Sequence, residues 1–103
     1  MNDINEHIEA IRNFAEARDW GQFHTPKNLA MAIAGEAGEL VSELQWLTPK
    51  QSAEISGEKL NAVALEMADV AIYLFRLSDV LSVDLSDYIK RKMTINELRF
   101  PSN

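Results

Sequence analysis

Apolar residues recur along this chain at helical spacing, and no stretch alternates convincingly between apolar and polar at period two. Ile4, Ile8, Ile11, Phe14 and Ala15 give one apolar face to a first helix over roughly Asp3 to Arg18. The segment DWGQFHT breaks the pattern and reads as a loop. Thr25 followed by Pro26 is an N-cap with proline at the first helical position. From there Leu29, Ile33, Leu40, Leu44 and Leu47 carry a narrow apolar stripe to about Leu47. Thr48–Pro49 repeats the cap-then-proline pair, so a short helical turn is expected within LTPKQSAEISGEK, ended or bent at Gly57. Leu60, Val63, Met67, Val70, Ala71, Leu74 and Leu77 predict a third helix over roughly Glu58 to Leu81. Asp84 with Asp87 then reads as an N-cap and first-turn acid opening a fourth helix to about Leu98. RFPSN reads as a short tail.

Four amphipathic helices joined by short connections predict an all-α, four-helix bundle. At 103 residues, with no internal repeat, the chain reads as a single domain over residues 1–103. A domain this small buries only a modest share of its surface alone, so association would help it.

Charge changes the picture next. The 16 acidic and 10 basic side chains give a net charge of −6, which argues against a nucleic-acid partner held through its backbone. An anionic phosphate ligand stays open, because a bound divalent ion reverses the local field. There is no cysteine, hence no disulfide, thiolate metal site or cysteine nucleophile, and this fits a reducing cytoplasm. The opening MNDINEHIEAIRNF lacks an apolar signal-peptide core, and no apolar run is long enough to span a bilayer, so no membrane partner is expected.

Four acids do not fit the amphipathic pattern as simple surface residues. Glu36 and Glu39 in GEAGEL, and Glu66 and Asp69 in LEMADV, each form an i, i+3 pair on one helix face. Glu36, Glu39 and Glu43 fall within a sector of about 60° along one edge of the second helix's stripe, at the core boundary. Two such pairs on packed helices would bring four carboxylates together, an arrangement that needs a cation, and all-oxygen donors suit Mg²⁺ or Mn²⁺. A single ExxE pair is also common on solvated helices. Small neighbours Ala34, Gly35, Ala37, Gly38 and Ala68 leave room for close helix approach or for a ligand. Glu43 reads either as an auxiliary acid or as a solvated helix edge.

GEAGEL followed by EMAD resembles the ExxE…ExxD signature of the MazG-like nucleotide pyrophosphohydrolases, all-α nucleoside-triphosphate pyrophosphatases. ARDWGQFHTPKNLAMAI, ELQWL, DVAIYL and KMTINELRFP resemble the dCTP-pyrophosphatase-like branch in collinear order over nearly the whole chain. The resemblance implies a bundle assembled as a homodimer or a dimer of dimers. It also implies Mg²⁺-dependent conversion of a nucleoside triphosphate to the monophosphate and pyrophosphate. By motif match, Glu36, Glu39, Glu66 and Asp69 would be both the catalytic residues and the metal ligands. The preference for dCTP or a modified dCTP follows from resemblance alone.

Flat aromatic surfaces suit a nucleobase, and Trp20, His24, Trp46 and Tyr73 are the candidates. By spacing alone both tryptophans read as core or interface residues, and His24 as an ordinary loop histidine. The resemblance implies base binding, and Tyr73 shares a strip with Glu66 and Asp69. Lys27 opens the second helix, whose N-terminus favours anions. Lys92, Asn96 and Arg99 fall where the resemblance implies substrate contact; by position alone they complement the helix dipole. His7, Arg12 and Arg18 read as surface residues. Phe100 and Gly21 depart from the resemblance, which bears on base preference more than on reaction type. The rival class is a non-catalytic helical module that binds a nucleotide or another protein. A di-iron bundle is set aside, because neither His7 nor His24 follows a glutamate by three residues.

Overall fold

The computed structural model describes residues 3–102; Met1 and Asn2 of the opening segment and Asn103 of the tail lie outside them. The described chain is all-α: α1 (Ile4–Ala17), α2 (Pro26–Leu44), α3 (Pro49–Ala53), α4 (Gly57–Val80) and α5 (Leu85–Arg99), with one 3₁₀ turn at Gly21–Phe23. Each expected cap, at Thr25, Thr48 and Asp84, forms, and Asp3 caps α1 as well. The side chains of Asp3, Thr25 and Asp84 accept from the backbone N–H of Glu6, Asn28 and Asp87 at 2.8, 3.2 and 3.1 Å.

Helix α2 ends at Leu44, three residues before the expected Leu47. The reason is local. Thr48 must be extended (φ −71°, ψ 159°) to precede Pro49, and it closes a reciprocal capping box with Gln51. The chain therefore leaves the α conformation beforehand, with the Leu47 N–H bonding the Leu44 carbonyl at 3.0 Å. The expected loop after α1 contains the 3₁₀ turn. Gly57 sits at φ +58° and opens α4 rather than closing the segment before it.

Both α1 and α4 end in a left-handed cap carried by a residue other than glycine. After α1, Asp19 has φ 56°, the Trp20 N–H reaches the Ala15 carbonyl at 3.0 Å, and the Asp19 N–H reaches Glu16 at 3.1 Å. This cap turns the chain so that Trp20 and His24 come back against α4. After α4, Ser82 has φ 56°, and Val83 and Ser82 donate to Ser78 and Asp79 at 2.8 and 3.0 Å.

Helix α2 packs mainly on α4, and α1 packs on the same helix. The α2–α4 pair is antiparallel. Lys59 Nζ donates to Glu43 Oε2 at 3.0 Å, and seven residues back along α2 and seven forward along α4 stand Glu36 and Glu66, again side by side. Seven residues are two helical turns, so both contacts lie on one shared seam.

The core along α4 is thin. Ala15, Leu29 and Val63 are the buried apolar residues among those described. Helix α5 makes no contact as extensive as those of α1 or α2 with α4. The radius of gyration is 16.4 Å, against about 13 Å for a compact chain of this length. No helix among the described residues is long and apolar enough to cross a membrane.

Candidate active site

On the α2–α4 seam, one carboxylate oxygen each from Glu36, Glu66 and Asp69 lie within 4.8 Å of one another. Glu66 and Asp69 are one turn apart on α4, and the antiparallel register sets Glu36 opposite them. Glu36 and Glu66 are half-buried. Lost hydration, then the charges of Asp69, Glu36, Glu39 and Glu43, hold the Glu66 carboxyl above its ordinary range. Glu39, one turn beyond Glu36, is exposed and outside the three-residue cluster, though its charge is felt at Glu66. Glu43 is engaged elsewhere, by Lys59.

Such a donor set fits a hard divalent cation. All the oxygens are carboxylate, no imidazole or thiolate stands among them, and like charges this close lower their mutual repulsion by sharing a cation or a proton. Gly35 and Gly38 flank Glu36 on α2. A Cβ on either would meet nothing within 4 Å, so neither serves a close helix approach inside this chain.

A second group lies further along α4. Trp20, His24, Tyr73 and Arg76 line one recess with Phe14 and Ile72. Trp20 meets Phe14 edge-on at 5.5 Å and His24 at 6.2 Å between ring centroids. Tyr73 follows Asp69 by four residues and Arg76 by seven, about 6 and 10 Å along the axis, so recess and carboxylates share one strip of α4.

Arg76 and Asp79 are absent from the sequence-derived candidates. Arg76 is 7% exposed. Its Nε donates to His24 Nδ1 at 3.0 Å and its Nη1 to Asp79 Oδ2 at 3.3 Å. Asp79 also accepts from Arg12, from Nε at 2.8 Å and from Nη2 at 2.6 Å. Arg12 is thus no simple surface residue: its fork ties α1 to α4. The Arg12 hydrogen bonds, reinforced by both guanidinium charges, hold the Asp79 carboxyl below its ordinary range against the opposing effect of burial. The available signal was a lone cation inside the apolar run VAIYLFRL. Arg18 lies over the Phe14 ring, 3.5 Å from its centroid, and donates to the Phe14 carbonyl.

The remaining candidates stand apart from both groups. Lys27 is exposed in the first turn of α2. Trp46, in the turn after α2, is 88% exposed and does not line the recess. Lys92, Asn96 and Arg99 share a face of α5 by their i, i+4, i+7 spacing; Arg99 stacks on Phe100 at 5.1 Å. Among the described residues no hydrogen bond links the α5 trio to the carboxylates.

This chain is similar to known proteins over nearly its full length. It is 41% identical over 102 residues to dCTP pyrophosphatase 1 of Homo sapiens, covering 93% of this chain and 60% of that one. To dCTP pyrophosphatase 1 of Rattus norvegicus it is 40% identical over 100 residues, covering 91% and 59%. It thus spans about three fifths of the length of the curated relatives it matches. A crystal structure of a pyrophosphatase from Archaeoglobus fulgidus superposes with a TM-score of 0.91 at 36% identity, covering 99% of this chain and 95% of that one. No family model matches the chain.

Proposed function

The chain belongs to the MazG-like nucleotide pyrophosphohydrolases, in the dCTP-pyrophosphatase-like branch, and from that premise we propose that it hydrolyses a nucleoside triphosphate to the monophosphate and pyrophosphate. The observation that carries this reading is the convergence of Glu36, Glu66 and Asp69 from two helices. In the reading, these three hold a divalent cation, Mg²⁺ or Mn²⁺, and Glu39 extends the acidic lip by one turn. The cation would neutralise the phosphates and lower the pKa of a bound water. Trp20 and Tyr73 offer flat surfaces to the base within one recess, and His24 offers a polar group for its edge.

Deoxynucleoside triphosphates, dCTP or a modified dCTP first, are the proposed substrates, by analogy with the named relatives. House-cleaning of the nucleotide pool is the proposed role, and the cytoplasm the proposed compartment. Lys27, Trp46, Lys92, Asn96 and Arg99 are proposed substrate contacts, and the last three need either movement of α5 or a second copy of the chain. A homodimer or homotetramer is part of the reading, because so much apolar surface is left uncovered in the single chain.

The experiment is product analysis on a panel of deoxy- and ribonucleoside triphosphates with Mg²⁺, beside an EDTA control. Chelator-sensitive release of pyrophosphate with the matching monophosphate is expected. Release of single phosphate would contradict the cleavage assigned, and no product from any base in folded, metal-supplied protein would point to a binding module.

A further inference from the structure

A guanidinium has five N–H donors, no acceptor, and a charge it cannot lose in a protein. The hydrogen bond from Arg76 Nε to His24 Nδ1 therefore requires a lone pair on Nδ1. An imidazolium would instead set two donors and two positive charges face to face. The ring is thus neutral, with its one proton on Nε2. Burial, and then the Arg76 charge, both lower the His24 pKa, in agreement with this geometry.

The ring is also held in place. His24 ends the 3₁₀ turn, with its N–H on the Gly21 carbonyl at 3.2 Å, and Trp20 lies edge-on against it. Arg76 in turn is fixed by Asp79, which Arg12 grips with two bonds. Burying a guanidinium is costly unless its partners are well placed. Here one of its donors serves a histidine in the recess. Among the described residues no hydrogen bond uses His24 Nε2, although the ring lines the recess with Trp20 and Tyr73.

We infer that Arg76 is a positioning residue for nucleotide recognition: by occupying Nδ1 it fixes His24 as the Nε2–H tautomer, leaving a single oriented donor for an acceptor atom on the edge of a pyrimidine base in the Trp20–Tyr73 recess. This rests on the proposed nucleotide hydrolysis and deepens it. Asp79 and Arg12 support Arg76 from behind, and the carboxylate cluster lies two turns away along α4, where the phosphates would engage it. A neutral base edge is thereby read by a neutral donor, with the positive charge set back behind it.

The first test needs no variant at the site. ¹⁵N-histidine NMR of the wild-type protein without nucleotide, with His7→Asn to assign the two rings, is expected to show His24 protonated on Nε2 and bare on Nδ1. A proton on Nδ1, or a charged ring at pH 7, overturns the inference.

The second test is kinetic. His24→Ala is expected to raise KM for the preferred triphosphate about five- to tenfold, the worth of one hydrogen bond, with kcat held within about twofold. Inhibition by inorganic triphosphate, which has no base, is expected to stay unchanged. His24→Gln, which keeps a donor near the Nε2 position, is expected to recover part of the loss. Arg76→Lys is expected to raise KM in the wild-type background and to add nothing in the His24→Ala background. Additive effects would mean that Arg76 does not act through His24. Should Arg76→Lys fail to fold, the ring spectrum and the His24 series still decide. Wild-type protein without turnover on any triphosphate sinks the nucleotide reading itself, whereas normal turnover with an unaltered KM in His24→Ala sinks only this inference.

Discussion

Arg12 on α1 holds Asp79 on α4 with two hydrogen bonds, 2.8 and 2.6 Å long, and the same carboxylate takes the buried Arg76 at 3.3 Å. One acid thus balances two guanidiniums and ties α1 to α4. Asp79→Asn would leave Arg76 buried without its counter-charge. A loss of about 3 kcal/mol in denaturant unfolding at pH 7 is expected. The pH dependence has a definite sign. The Asp79 carboxyl is held below its ordinary range, so its stabilisation is fully present above the unfolded value of about 4 and is lost as pH falls through the lower folded value. The gap between wild type and Asp79→Asn is expected to stay constant from pH 7 to about 4 and to narrow below that.

Glu66 behaves in the opposite sense. Its carboxyl is held above its ordinary range, so in metal-free protein the ionised form works against the fold at neutral pH. Stability is expected to rise as pH falls through the folded value, and Glu66→Gln is expected to abolish that rise. The same variant is expected to lower turnover by about a hundredfold or more. Thermal scans of chelator-treated protein with and without Mg²⁺ provide the companion measurement: the wild-type midpoint rises on adding Mg²⁺, and the Glu66→Gln midpoint moves much less. An equal rise in both would contradict the assignment of Glu66 to the cation.

The single chain exposes 7932 Å², where a compact monomer of this size exposes about 5,800 Å². The excess, about 2,000 Å², is of the order that a specific protein interface buries. Trp46 at 88% and Leu98 at 80% exposure are among the apolar residues left bare. Light scattering coupled to size exclusion is expected to return a multiple of the chain mass. Leu98→Glu, on a helix that packs only weakly against the rest of the chain, is expected to shift the distribution towards monomer while leaving the helical content intact. A monomeric wild type at micromolar concentration would overturn this expectation.

Gly35 and Gly38 sit inside α2 with open space where a Cβ would stand. Judged on the isolated chain, each glycine costs helix stability, and alanine at either position is expected to add about 0.5–1 kcal/mol. If the space serves a ligand or a second copy, the same substitutions will raise KM or weaken association while the fold gains. Unfolding and kinetics measured on the same variants separate the two. A loss of monomer stability would mean that α2 is constrained in a way its own packing does not reveal.

Much of the architecture is legible from local chemistry. The expected caps at Thr25, Thr48 and Asp84 all form, and the structure adds one at Asp3, because each is decided within one helical turn by a side-chain oxygen and the N–H three residues on. The apolar stripes locate the helices for a similar reason. The end of α2 departs from its stripe, which Leu47 continues; the following Thr48–Pro49 start overrides that pattern by demanding extended backbone at Thr48. The pairing of Glu36 with Glu66 and Asp69 is expected from spacing, but spacing alone does not separate Glu39 from the cluster. That distinction depends on the α2–α4 register.

The sequence by itself determined the helices, their caps and the faces on which the acids stand, because these are set by neighbours three and four residues apart. Only the tertiary structure decided that Glu36, Glu66 and Asp69 meet within 4.8 Å. It alone decided that Glu43 is taken by Lys59, and that Arg12 reaches across 67 positions to Asp79 and so anchors the Arg76–His24 contact. Such contacts depend on how two helices are rotated and slid against each other, and that is settled by the packing of whole faces, which no local spacing encodes.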